Sequence, residues 1–268
     1  MSAKRAADTL RWWSQAGVDF AVGETPHDRF ANPSPDEERV GRAEGSNPNQ
    51  TNAGRFESTS HRRSAVAGSP GATDAQALAA AAVDLDSLQL ILQGFDGCSL
   101  KRTATQLVFA DGVPGSRLML VGEAPGGDED RIGRPFVGRA GQLLDRMLGA
   151  IGLDRRQVYI ANVVPWRPPG NRTPTPVETQ ICLPFIRRQI ELANPELLVC
   201  LGGSAAQTLL GLKGGIMRAR GSWFTYENPG GASIPALAML HPAYLLRQPA
   251  HKRLAWLDLR TLARALAP

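Results

Sequence analysis

The sequence predicts an α/β fold in which helices cover both faces of a mostly parallel sheet. Three observations lead there. Short apolar runs alternate with segments of helical spacing, one helix start carries a complete set of capping signals, and glycine-rich polar loops follow the apolar runs. Runs at 106–109, 118–121, 158–164, 197–201 and 236–240 have the length and aliphatic content of buried strands. Helical spacing falls between them at 141–151, 176–192 and 204–212. The second of these helices starts on Thr175 as N-cap, with Pro176 in the first turn and Glu178 completing a capping box. Ligands of such sheets bind beyond the carboxyl ends of the strands, so the loops there carry the functional search.

Upstream the composition changes. Residues 3–16 read as a short helix presenting Leu10, Trp12 and Trp13, so 1–25 is expected to be a short N-terminal helical segment. Residues 26–73 are rich in Pro, Gly, Asn, Ser and Arg and poor in aliphatics. They are expected to be a disordered, low-complexity linker, because they cannot bury enough apolar area to offset chain entropy. An Ala- and Leu-rich helical run at 74–93 leads into a folded domain spanning 74–268.

The bulk numbers bound the function only loosely. The chain has 268 residues, 43% hydrophobic and 6% aromatic, which suits an aliphatic α/β core. Thirty Lys plus Arg against 25 Asp plus Glu give a net charge of +5, which fits a polyanionic partner and a plain basic surface equally well. No stretch approaches the roughly 20 apolar residues of a membrane span. The start Met1-Ser2-Ala3-Lys4-Arg5 is not followed by an apolar signal core, so a soluble, cytoplasmic protein is expected. The cysteines Cys98, Cys182 and Cys200 are too few and too scattered for a disulfide framework, and Cys200 sits inside an apolar run.

Unusual residues collect after three of the runs. Gly122-Glu123-Ala124-Pro125-Gly126 follows the run at 118–121 and leads to Glu129 and then Phe136, a large aromatic in a glycine-flanked loop. Asn162 interrupts the run at 158–164, and the Pro-Pro-Gly-Asn-Arg turn bearing Asn171 comes next. His241-Pro242 follows the run at 236–240, with Leu245, Leu246 and Arg247 just beyond. Each has an ordinary alternative: a tight connection for 122–127, backbone satisfaction for Asn162, a turn for His241-Pro242 and for Asn171, and a solvated face for Asp128-Glu129-Asp130. Three strand ends aiming an acid, an amide and an imidazole at one sheet edge favour a site. The glycine loop is neither the dinucleotide nor the P-loop signature, and the four histidines lie too far apart to suggest a metal centre.

Those motifs, in this order and spacing from about residue 97 onward, resemble the family 4 uracil-DNA glycosylases within the wider uracil-DNA glycosylase superfamily. The resemblance implies a three-layer α/β/α sandwich with a central, mostly parallel four-stranded sheet. It implies that Phe136 stacks on an extruded uracil, that Asn162 reads its Watson–Crick edge, and that His241 lies against O2, where charge develops as the glycosidic bond breaks. Glu123 and Glu129 correspond to acids of the family's site, while Gly122 and Ala124 are placed against the substrate. In the best-known branch of the superfamily an Asp occupies the position of Ala124 as water activator, so the general base is left unassigned. Asn171 matches a position near the site. Leu245 and Leu246 have two readings, a wedge filling the vacated base stack or the core face of a following helix. Arg247 and the helix start at Gly203-Ser204 suit phosphate contact.

Two departures from the family stand out. Family 4 enzymes hold a four-iron cluster on four cysteines. In this chain the first and third ligand positions are Phe95 and Trp166, and only Cys98 and Cys182 remain, so no cofactor is expected. Residues 165–176 also lack the basic inserted loop with which a related branch attaches itself covalently to DNA, so ordinary turnover is expected. The expected activity is hydrolysis of uracil from DNA to leave an abasic site, by a monomer with no membrane partner. A repair or replication partner engaging the N-terminal segment would add to this. The alternative is a module that binds uracil-containing or abasic DNA with little turnover.

Overall fold

The computed structural model describes residues 70–267. The expected N-terminal helix and all but the last residues of the expected linker lie outside the described residues. The first helix, α1 (Pro70–Ala81), begins four residues ahead of the expected domain boundary. The helical run at 74–93 is broken in two, because Asp84 caps a new helix, α2 (Leu85–Gly94). Asp84 Oδ1 accepts the Ser87 N–H at 2.8 Å and Ser87 Oγ accepts the Asp84 N–H at 3.1 Å.

Four parallel strands form the centre of the sheet: β2 (Leu118–Gly122), β3 (Val158–Asn162), β4 (Leu197–Leu201) and β6 (Ser233–Met239). Two antiparallel edges extend it to six. β1 (Asp111–Gly112) pairs with β3, and β5 (Trp223–Glu227) pairs with β6, giving the order β1-β3-β2-β4-β6-β5. Every residue of β2, β3 and β4 is buried, as expected of strands covered on both faces. The run at 106–109 is not a strand. Val108 donates its N–H to the Pro165 carbonyl at 2.9 Å, and Val108 and Phe109 are buried without ladder partners, so packing alone accounts for their apolar character. β5 escapes a reading of apolar runs because only Tyr226 is buried in it, as suits an edge strand.

The remaining helices are α3 (Gly127–Ile132), α4 (Arg139–Gly149), α5 (Pro176–Ala193), α6 (Gly203–Leu210), α7 (Ile216–Ala219), α8 (Pro242–Arg247) and α9 (Lys252–Leu266). The capping box of α5 forms as the spacing predicts: Thr175 Oγ1 accepts the Glu178 N–H, and Glu178 Oε2 accepts the Thr175 N–H at 2.7 Å. Alternation along β2 sorts two cores. Met119 and Val121 face α1, α2, α5 and α6, whereas Leu118 and Leu120 face α4, α8 and α9. The described residues thus form a three-layer sandwich. Each fully buried aliphatic contributes roughly 1.5–3 kcal/mol, so both layers are held by the same aliphatic surplus seen in the composition. No helix among the described residues is long and apolar enough to cross a membrane.

Candidate active site

A cavity of about 530 Å³ opens at the carboxyl ends of the parallel strands. It gathers Glu123, Ala124, Glu129, Phe136, Asn162 and Asn171 with Gly203, His241 and Arg247, so most of the expected site residues meet in one place. Gly122 forms the surface behind it. A β-carbon there would stand 2.5 Å from Asn162 Oδ1 and 2.6 Å from Phe136 Cζ, so only glycine lets both side chains close over the strand end.

Asn162 ends β3 on the face that carries Val158 and Ile160, and it is 4% exposed. Its Oδ1 is buried and has no hydrogen-bond partner within the protein. Leaving such an acceptor unpaired costs about 1–3 kcal/mol, so the site is organised for a ligand that brings a donor.

His241 caps α8, its Nδ1 accepting the Ala243 N–H at 3.1 Å. Burial, helped by the nearby Arg247 charge, pulls its pKa down to about 4. At neutral pH the ring is therefore uncharged, and with Nδ1 acting as acceptor the proton sits on Nε2. Glycine is again needed beside it: Gly202 adopts φ 94°, and a β-carbon there would press on His241 Cβ at 3.1 Å. The His241 and Phe136 rings lie 5.4 Å apart, tilted by 31°. Phe136 holds a left-handed backbone, φ 55°, costly for a bulky residue.

The carboxylates divide by their partners. Burial pushes the Glu123 pKa up, and a hydrogen bond with Thr173 works against that shift. Glu129 is committed to backbone: Oε1 accepts from Val137 and Gly138 N–H, both at 2.9 Å, and Oε2 from Gly126 N–H at 3.1 Å. The acidic run is therefore not a solvated face, since Glu129 and Asp130 are buried and only Asp128 is exposed. Asp130 accepts from the Thr105 N–H and hydroxyl at 2.8 and 2.9 Å. Asn171, with φ 55°, accepts the Arg167 Nε–H on its Oδ1 at 2.7 Å.

Of the two readings of Leu245 and Leu246, the burial of Leu245 favours the core face of a helix. α8 turns Leu245 inward, where it is 1% exposed, and Leu246 is half-buried against the same core. Ser204 does not reach the cavity wall, though Gly203 does. Residues not singled out from the sequence also line it: Tyr244, Thr173, Arg172 and Ile216. Arg172 is spoken for by a bidentate pair with Glu178 at 2.7 and 2.8 Å, which holds the Glu178 pKa down at about 2. Tyr244 donates to or accepts from His251 Nδ1 at 2.7 Å. Arg172, Thr173 and Tyr244 lie within or beside the quoted motifs, whereas Ile216 comes from a segment that no sequence pattern marks.

The positions corresponding to a cluster also meet in space. Cys98 and Cys182 Sγ atoms stand 3.9 Å apart, fully buried. Around them Phe95 stacks on Trp166 at 6.5 Å and meets Phe185 edge-on at 4.9 Å. A four-iron cluster takes four thiolates, and two thiols beside two aromatic rings do not fit one. Among the described residues no group of three or more His, Cys, Asp or Glu could hold a metal ion.

Comparison with known proteins assigns the family. The family model described as "Uracil DNA glycosylase superfamily" matches residues 109–260, more than half of the chain. The chain belongs to the uracil-DNA glycosylase superfamily. Within that superfamily it is 41% identical over 169 residues to a Type-4 uracil-DNA glycosylase of Archaeoglobus fulgidus, covering 62% of this chain and 84% of that one. It is 44% identical over 151 residues to a Type-4 uracil-DNA glycosylase of Thermotoga maritima, covering 56% and 77%. A Type-5 uracil-DNA glycosylase of Pyrobaculum aerophilum is 33% identical over 148 residues, covering 48% and 62%. The matched span of the superfamily model contains every residue of the cavity wall named above.

Proposed function

We propose that this chain is a uracil-DNA glycosylase that hydrolyses the N-glycosidic bond of a flipped-out uracil. The single observation carrying the reading is the buried, unpartnered Oδ1 of Asn162 beside Phe136 and a neutral His241. Uracil N3–H supplies the missing donor, and the Asn162 amide donates back to O4. Cytosine offers the opposite pattern and leaves both groups unpaired, which is the strong form of discrimination.

When the C1′–N1 bond breaks, its electron pair leaves with N1 and delocalises onto O2. The His241 Nε2–H is the donor for that oxygen, a contribution of the oxyanion type typically worth about 3–4 kcal/mol. Water then bonds to C1′, and the proton it releases is matched by protonation of the uracil anion, giving free uracil and an abasic site. Glu123, whose carboxylate is not tied to backbone N–H groups, positions that water or stabilises the cationic sugar. Ala124 offers no second acid, so leaving-group stabilisation carries most of the rate. Glu129 serves as a positioning residue, and Gly122 and Asn171 shape the wall. Arg247 and the Gly203 end of α6 meet phosphate.

The enzyme works without an iron–sulfur cluster, its place taken by the Phe95–Trp166–Phe185 packing, and turns over without a lasting adduct to DNA. It acts as a monomer, and residues 1–25 recruit a repair or replication partner. A uracil-containing oligonucleotide, incubated with the protein and then cleaved with alkali, tests the reading. Excision is expected, falling at least 100-fold in His241→Ala and Asn162→Asp. Tight binding of the oligonucleotide without cleavage would establish the binding-module alternative instead, and activity unchanged in both variants would overturn the site.

A further inference from the structure

Phe136 sits in a backbone conformation that it would not adopt unaided, and the peptide joining it to Val137 is held at both its N–H and its C=O. On the amide side, Glu129 accepts the N–H groups of Val137 and Gly138, both at 2.9 Å. On the carbonyl side stands Arg155, which does not line the cavity and lies in the short turn Arg155–Gln157 that leads into β3. Its Nη2 donates to the Phe136 carbonyl, and its Nη1 to the Pro135 carbonyl at 3.3 Å.

Two carboxylates fix the guanidinium in turn. Nη1 also pairs with Asp111 on β1, and Nε donates to Asp145 of α4 at 2.7 Å. Asp111 is itself held by register, opposite Ile160 of β3. The side chain of Arg155 is 23% exposed and that of Asp111 16%, so water competes weakly for that pair, whereas Asp145 is 45% exposed and more open to solvent. Charge-assisted, planar and forked bonds of this kind hold geometry as well as contribute energy. The first turn of α4 closes the arrangement, because Gly141 packs so tightly on the Phe136 carbonyl that a β-carbon would collide with it.

We infer that Arg155, oriented by Asp111 and Asp145, is a positioning residue that locks the Phe136 ring as the stacking platform for the base. β3 thus does two things: its end presents Asn162 to the base edge, and the turn before it fixes the ring against the base face. The inference rests on the proposed uracil site, and it goes beyond it by assigning a role to a residue that touches no substrate.

The test is a double-mutant cycle on the full chain, comparing Arg155→Ala, Phe136→Ala and the double variant in uracil excision. Arg155→Ala is expected to lower kcat/KM roughly 10- to 100-fold, mostly through KM, since a misplaced platform loses binding common to ground and transition states. In the Phe136→Ala background the same change is expected to add less than about twofold, because its target is gone. Arg155→Lys should recover part of the loss while keeping the charge, and it replaces Arg155→Ala in the cycle if that variant does not fold. Additive losses, or unchanged kinetics in Arg155→Ala, would overturn the inference while wild-type excision leaves the proposed function intact. Should the wild type bind a uracil-containing oligonucleotide without cleaving it, the proposed activity fails and the same cycle is read in affinity over the thymine-containing control. Absence of both excision and selective binding would reject both proposals.

Discussion

Gly122 and Asn162 are register partners at the carboxyl ends of β2 and β3, and the missing side chain of the first makes room for the amide of the second. Gly122→Ala is therefore expected to push Asn162 and Phe136 out of line. Overpacking of this kind costs about 1–3 kcal/mol in stability. Activity should fall roughly 100-fold, since small misplacements of a reacting constellation have large kinetic effects. Thermal unfolding and excision rates measured on the same preparation check both numbers.

His241 gives a pH signature in stability. Its pKa in the folded chain is about 4, below the ordinary 6.5, so folding favours the neutral ring. The associated stabilisation is fully present above about pH 6.5 and is lost as the pH falls through about 4. Replacing His241 by Gln should flatten that part of the stability curve, as read by urea unfolding at pH 7 and pH 4.5. An unchanged slope between the two proteins would contradict the neutral assignment.

Glu123 gives a second signature, in activity. Burial raises its pKa above the ordinary carboxylate value of 4.5, so its ionised form is lost at a higher pH than usual. The acid limb of kcat/KM is expected to lie above the ordinary carboxylate range. It should disappear in Glu123→Gln, with the remaining activity lower and flatter down to the His241 transition.

Glu129 holds three backbone N–H groups, and an amide in its place would turn an NH₂ group toward at least one of them. Glu129→Gln is expected to destabilise the chain by about 1–3 kcal/mol and to raise KM more than it lowers kcat. A fall in kcat alone would point instead to a direct chemical role.

Phe95 and Trp166 pack where the resemblance puts two cluster ligands. Phe95→Ala or Trp166→Ala should cost about 3–5 kcal/mol, as for other large core aromatics. Protein purified anaerobically should carry no stoichiometric iron and no visible absorbance band, and a chelator should leave the unfolding temperature unchanged.

Much of this site was legible along the chain because its residues sit directly after apolar runs. β2 and β4 lie where their aliphatic runs place them, and the Thr175–Glu178 box marks the start of α5, since both signals are local. The run at 106–109 misleads for the same reason that β2 does not: apolar character reports burial, and Val108 and Phe109 are buried without a partner strand. Leu245 illustrates the converse, its position after His241 suiting a wedge until α8 turns it into the core.

By itself the sequence determined the α/β class and the motifs at three strand ends, and the resemblance attached a chemistry to Phe136, Asn162 and His241. Set against the resemblance, the sequence also puts Phe95 and Trp166 where two cluster cysteines are expected. Only the tertiary structure decided which groups are free to act. Glu123 and Glu129 look alike in a string of residues and both line the cavity, yet only the Glu129 carboxylate is bound to three backbone N–H groups. Arg155 looks like any surface arginine until Asp111, Asp145 and two carbonyls from other segments converge on it. The physical reason is that hydrogen-bond satisfaction and desolvation depend on neighbours far apart in the chain, and those two quantities separate a reactive group from a structural one.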